Sequence, residues 1–250
     1  MGNSIRQNNI CAFIEENQYV TMKQLQALCP DVSLMTIHRD LDALVLDGRV
    51  IKLRGGARAV RQSIDPGFEE RMQENNTGKM VMARKALGLI HPGMTIFLDA
   101  STTNLFLARI LPDIHINIFT TGPSIAMELC RLHNPNITIC CGTLNRKNMA
   151  VSGQNTREML EKINLDIAFV GVSGCTPEGG LTCGTEGDMA VKAMALSRAR
   201  TGVAMCDKEK FKRMMPYTFA RFADVDYLIS DDAVPESARL ELEKRQTILL

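Results

Sequence analysis

The chain of 250 residues has no tryptophan and three tyrosines, and its 29 lysines and arginines are almost cancelled by 28 aspartates and glutamates. A formal net charge of +1 excludes a polycation that holds nucleic acid by bulk charge, so any such signal has to be local. No apolar run approaches the ~20 residues that span a bilayer. The opening residues lead into no signal segment, and Arg6 stands where a myristoylation motif needs Ser or Thr. A cytoplasmic protein with no membrane partner is expected. Of the eight cysteines, no two enclose a two-residue gap, which excludes zinc knuckles and CxxC redox motifs. The adjacent Cys140 and Cys141 lie in an apolar run whose side chains alternate between faces, so they read as reduced, structural thiols. No metal and no cofactor are expected.

What remains is ordinary for a globular protein, with 45% hydrophobic and 23% charged residues, and the length suits a small domain followed by a larger one. In residues 5–17, Ile5, Ile10, Phe13 and Ile14 fall on one helical face. Thr21 can cap a second helix over 22–29, with Leu25 and Leu28 turned inward, and Pro30 stops it. Ser33 can cap a third, in which Ile37, Leu41, Leu44 and Val45 recur at helical spacing before Asp47-Gly48. Two short extended segments, 49–54 and 57–60, then flank Gly55-Gly56 as a hairpin.

Three short helices with a tight turn before the third, followed by a hairpin, form a winged helix-turn-helix over 1–61, with the turn motif at 20–39 and the wing at 49–60. With Ile37 and Leu41 turned to the core, Met35, His38, Arg39 and Asp42 point the other way. Arg39 can donate bidentately to guanine, Met35 can touch a thymine methyl, and Ser33 and Thr36 can contact bases or phosphate. The wing supplies the local charge, since Arg49, Lys52, Arg54, Arg58 and Arg61 fall within 48–61 without an acid among them. The candidate DNA contacts are therefore Thr21, Ser33, Met35, Thr36, His38, Arg39, Lys52 and Arg54, and the candidate partner is double-stranded DNA.

Residues 62–78 contain Asp65-Pro66-Gly67 and Asn75-Asn76 and read as a linker. From 79 to 250 the pattern is α/β: strands expected at 95–99, 116–120, 137–141, 166–172, 202–206 and 227–230 alternate with helices at 103–111, 123–133, 156–163 and 188–199. That rhythm implies a mostly parallel, Rossmann-like sheet.

The stretch SLMTIHRDLDALVLDGRVIKLRGGARAV at 33–60 resembles the DNA-binding end of the DeoR family of bacterial regulators, whose third helix reads Ser-x-x-Thr-Ile-Arg-Arg-Asp-Leu before a Gly-Gly wing. LDASTT at 98–103, CGTL at 141–144, AFVGVSG at 168–174, Glu186, Lys192 and DKEKF at 207–211 are similar to that family's sensor domain, so the resemblance runs nearly the full length. It implies a second domain similar to sugar-phosphate isomerases, binding a phosphorylated sugar or related effector. It also implies a repressor of a carbohydrate-utilisation operon, acting as a homodimer or higher homo-oligomer on symmetric half-sites. The chain departs from the family pattern at three places: His38 replaces an Arg, Ser101 a Gly, and Glu209 a Ser.

The residues themselves allow such a pocket. In LDASTT a strand ends at Asp99 and a helix begins among Ser101, Thr102 and Thr103, so hydroxyls and unpaired amides can converge on a phosphate. Thr120 and Gly122 repeat the arrangement at the next strand end, and Gly142 and Gly171 permit close backbone approach at two more. Lys192 and Lys210 can act as point charges beside Glu186 and Asp207. An isomerase- or deaminase-like enzyme with an attached DNA-binding domain is the alternative, since Asp99, Glu186 or Asp207 could serve as a carboxylate base. It leaves the N-terminal domain unexplained, and no enzyme is expected.

Overall fold

A computed structural model describes residues 3–17, 19–46, 49–59, 66–232 and 234–250. The chain divides into two compact units, Met1–Ser63 and Ile64–Leu250. In the first, α1 (Asn3–Asn17), β1 (Tyr19–Thr21), α2 (Met22–Leu28) and α3 (Leu34–Leu46) precede β2 (Val50–Leu53) and β3 (Gly56–Ala59). Ile10, Ile14, Leu25, Ile37, Leu41 and Leu44 bury the faces on which the helical spacing put them. Each such side chain contributes roughly 1.5–3 kcal/mol by leaving water. Strand β3 pairs with both β2 and β1, so the wing is a three-stranded antiparallel sheet rather than an isolated hairpin. Gly55 takes a φ of 88° at the turn, and a Cβ on Gly56 would stand 2.2 Å from the Val20 carbonyl oxygen. The expected helix stop at Asp47-Gly48 and the end of the wing at Val60 and Arg61 lie outside the described residues.

The second unit starts earlier than the linker reading implied. Helix α4 (Phe68–Gln73) and helix α5 (Asn76–Leu87) occupy most of 66–78, with Asn75 in a left-handed conformation capping α5 through Gly78 N. Gly67 and Asn75 there stand at helix starts. There follow β4 (Thr95–Leu98), α6 (Thr102–Ile110), β5 (Asn117–Thr120), α7 (Pro123–Leu129), β6 (Asn136–Ile139), β7 (Thr143–Asn145), β8 (Ala150–Ser152), α8 (Gln154–Glu161) and β9 (Leu165–Gly171). The chain continues through β10 (Gly174–Thr176), β11 (Gly180–Cys183), α9 (Glu186–Arg198), β12 (Ala199–Met205), β13 (Tyr217–Ala220), β14 (Tyr227–Ile229), α10 (Glu236–Arg245) and β15 (Ile248–Leu249).

Seven strands form one parallel sheet in the order β15-β14-β12-β9-β4-β5-β6, as the βαβ rhythm predicts. Ile96, Leu98, Ile118, Ile167, Phe169 and Val203 pack one face against α5 and α6, while Phe97, Ala168 and Leu165 pack the other against α8 and α9. The direction of strand order reverses between β4 and β9, and ligands of open parallel sheets sit at the carboxyl ends flanking such a reversal. Two small antiparallel elements go beyond the sequence expectation: the β7–β8 hairpin and a sheet of β10, β11 and β13.

Candidate DNA-reading surface and effector crevice

Thr21 caps α2 through a reciprocal box: its hydroxyl accepts from Gln24 N at 3.3 Å, and the Gln24 side chain accepts from Thr21 N at 2.8 Å. Ser33 caps α3 by accepting from Thr36 N at 3.2 Å, with the Ser33 and Thr36 hydroxyls 3.0 Å apart. These hydroxyls set the start of each helix. The outward face of α3 carries exposed Met35 (65% accessible), Arg39 and Asp42, with His38 half-buried. Beside Met35 the sequence reading overlooked Leu34, an exposed apolar side chain at the same helix end.

Asp40 was also overlooked. It is buried, and it accepts from Arg6 Nε at 2.6 Å, Arg6 Nη2 at 3.2 Å and Gln7 Nε2 at 3.1 Å, tying α1 to α3. A buried carboxylate is tolerated only with such partners. In the wing, Lys52 Nζ meets Asp42 Oδ1 at 2.6 Å and Arg49 donates to Asn8 Oδ1 at 2.9 Å. Lys52 is thus engaged with the reading helix itself, whereas Arg54 at the tip and Arg58 on β3 are exposed.

In the second unit, Asp99 follows β4 at the strand-order reversal and is almost completely enclosed. Its Oδ1 accepts from Ser101 N at 2.9 Å and Asn104 Nδ2 at 2.8 Å, and its Oδ2 from Gly171 N at 2.8 Å and from the Lys192 ammonium. Burial alone would raise this carboxyl, but the Lys192 charge and the hydrogen bonds outweigh it and hold Asp99 below the usual carboxylate range. Burial likewise opposes the Lys192 charge, yet Asp188 and Asp99 hold its pKa above the ordinary lysine value. Lys192 also donates to Gly171 O at 2.9 Å and lies 3.5 Å from Asp188. A carboxylate with four donors and no exposed lone pair is a poor base for lifting a substrate proton.

Around this pair the strand ends converge. Ser101 caps α6 through Asn104 N, Thr102 and Thr103 are buried in its first turn, and Thr120 Oγ1 accepts from Gly122 N at 3.0 Å. The glycines serve close packing of the protein on itself: a Cβ on Gly171 would meet Ser101 Cβ at 2.4 Å, and one on Gly142 would meet Thr156 Oγ1 at 2.2 Å. Asp207, after β12, caps a short 3₁₀ turn through Glu209 N at 3.0 Å. Its carboxyl is raised by burial although Lys210 pulls it down. Lys210 lies between Glu74 at 3.4 Å and Asp207 at 3.8 Å. Glu186 is exposed at the start of α9 and is not drawn into the cluster.

Lys79 gave no sequence signal. Buried on α5, it donates to the carbonyls of Arg71 and Glu74, and burial followed by repulsion from Lys210 lowers its pKa to about 8. Lys79, Lys210, Glu74 and Asp207 thus form one group of interacting charges.

Family comparison fits both units: a DeoR-like helix-turn-helix model matches residues 6–63, and a DeoR C-terminal sensor-domain model matches 74–232. The chain belongs to the DeoR family. This DeoR-family protein is a DNA-binding transcription regulator rather than an enzyme, in keeping with the regulators it resembles. It is 33% identical over 204 residues, 80% of this chain and 84% of its relative, to the L-fucose operon activator of Escherichia coli. It is 30% identical to the HTH-type transcriptional repressor GlcR of Bacillus subtilis, across 96% of this chain and 93% of that one. Ribose 5-phosphate isomerase A of Methanocaldococcus jannaschii aligns with a TM-score of 0.41 at 19% identity, covering 55% of each chain. Among the described residues of this regulator, no helix is long and apolar enough to cross a membrane.

Proposed function

We propose that this regulator acts in the cytoplasm as a repressor of a carbohydrate-utilisation operon, and that a phosphorylated sugar bound in the second unit alters its affinity for the operator. The observation that carries the effector class is that the α6 amino end follows β4, Lys192 donates to Gly171 O at the end of β9, and Lys210 lies 3.8 Å from Asp207 after β12. Helix-start amides and ammonium groups together favour an anion. The regulators it resembles bear names that include a fucose operon, which supports sugar control, and they include both an activator and a repressor. On the DNA side, Met35, Thr36, His38 and Arg39 read base edges, Ser33 and Thr21 orient the helix ends, and Arg54 with Lys52 meets phosphates. Two copies presenting paired α3 helices read symmetric half-sites.

The test is a gel-shift titration on duplexes selected from random DNA by repeated binding to the protein. Adding a panel of three- to six-carbon sugar phosphates is expected to move operator affinity at least tenfold with one member, and no response to any of them would reject the effector class. Sedimentation of the protein–DNA complex checks the two-copy stoichiometry.

A further inference from the structure

The seven-stranded sheet ends on β6, and this edge lacks the usual guards. Strand edges that stay clear of other chains carry lysines or other charges, an internal proline or a bulge. From 134 to 145 the chain has no charged side chain, Pro135 stands before the strand, and β6 pairs with β5 in unbroken register. Ile139 on this strand is 47% exposed. Met127 is 74% exposed on α7, whose Ile125 and Leu129 share a core cluster with Ile137.

Asn136 N donates to Ile116 O at 2.9 Å and Cys140 N to Thr120 O at 2.8 Å, both toward β5. Main-chain groups alternate sides along a strand, so those of Asn136, Thr138 and Cys140 face β5, while those of Ile137 and Ile139 point out from the sheet. These two residues stand symmetrically about Thr138. When a second β6 lies antiparallel with the two-fold axis at Thr138, Ile137 faces the second copy's Ile139, and each such pair exchanges both of its N–H···O bonds. The isoleucines then pack across the seam, as β-branched side chains do in sheets, and no like charges oppose one another. Pro135 has no N–H to give and sets the end of the ladder.

We propose that β6 is the contact through which a second copy of this chain joins, antiparallel and centred on Thr138, so that two seven-stranded sheets become one. A strand complementary to itself in this way makes a closed two-fold pair. Set against β15 of another copy, β6 would instead extend an open row of subunits, and β15 offers only Ile248 and Leu249. The contact rests on the two-copy reading above and deepens it by naming the surface that joins the copies.

Sedimentation of the full chain, alone and with the selected operator duplex, carries the test. Wild type is expected as two copies or a multiple of two. Ile139→Lys sets an ammonium into the seam and is expected to raise the dissociation constant at least a hundredfold, whereas Ile248→Lys at the opposite edge leaves it unchanged. Residues that face each other as the two Thr138 do have Cα atoms about 4.5 Å apart, within reach of a disulfide. Thr138→Cys is therefore expected to give a covalent dimer with diamide, in excess of what wild type forms through its exposed Cys130 and Cys141. This cross-link keeps the test decisive should Ile139→Lys fail to fold. If a folded Ile139→Lys sediments as wild type does, or Thr138→Cys gives no more covalent dimer than wild type, the β6 pairing is overturned while the two-copy reading stands. Dissociation by Ile248→Lys instead would mean a head-to-tail contact and overturn it as well. If wild type is a single copy both alone and on the operator, the two-copy reading falls and takes the β6 contact with it.

Discussion

Lys192, on α9, sets its ammonium against the carboxylate of Asp99 at the end of β4, with 4% and 1% of the two side chains exposed. Each charge is tolerated in the interior only because the other is present. Asp99→Asn removes one charge and keeps the shape, leaving Lys192 with Asp188 at 3.5 Å as its nearest acid. The expected loss is about 3–5 kcal/mol of stability. Chemical denaturation of the variant measures it, and a loss under 1 kcal/mol would mean that the pair is not formed in solution.

Lys79 predicts a stability that rises with pH in the alkaline range. Its folded pKa is about 8 against an ordinary 10.5. Below pH 8 both folded and unfolded chains carry the proton, and the full penalty for burying the charge is present. Between about 8 and 10.5 the unfolded chain holds more protons, so raising the pH relieves the penalty by up to about 3 kcal/mol. Lys79→Met should abolish that rise. Denaturation midpoints of the two proteins at pH 7.5 and 9.5 are the comparison, and parallel shifts would remove Lys79 from the account.

The two arginines of the DNA-reading surface separate two kinds of contact. Arg39→Ala is expected to lose roughly 1–3 kcal/mol on the selected operator and little on random duplex. Arg54→Ala should weaken both alike and lower the salt slope by about one. Binding isotherms at several salt concentrations distinguish these patterns, and identical profiles for the two variants would collapse the distinction between α3 and the wing.

Gly56→Ala tests the three-stranded wing. A methyl group at 2.2 Å from the Val20 carbonyl oxygen has no flexible neighbour to displace, since the obstruction is backbone. A loss of about 1–3 kcal/mol from the first unit is expected, together with weaker DNA binding. Thermal melting of the variant is the check, and an unchanged melt would show that β1 does not pair with β3.

Much of this was legible from sequence for simple reasons. Ile37, Leu41 and Leu44 repeat with the helical period and face a core, and the strands expected at 95–99, 166–172 and 202–206 fall on β4, β9 and β12, which are buried at 96–98, 167–171 and 202–205. Helix α10 escaped notice because only Ala238 and Leu242 anchor it, and charged residues cover the rest. The hairpin strand Thr143–Asn145 is exposed along its whole length, so it has no apolar alternation to read. The chemistry of the crevice was the least legible part. Which lysine meets Asp99, and that Lys79 and Asn148 are buried at all, depend on contacts across as many as 93 residues of chain. Of the cysteines read as structural thiols, Cys11, Cys140, Cys175, Cys183 and Cys206 are buried, but Cys130 and Cys141 are exposed, while burial pushes the Cys140 thiol up to about 12.

The turn between β7 and β8 carries Asn148 and is attached to α4. Its Lys147 carbonyl accepts from Phe68 N at 2.8 Å, and its Asn148 carbonyl from Arg71 Nη2 at 3.4 Å, both on α4. Helix α4 is the first described helix after the boundary with the N-terminal unit. Any displacement of the turn has to carry these two hydrogen bonds with it or break them.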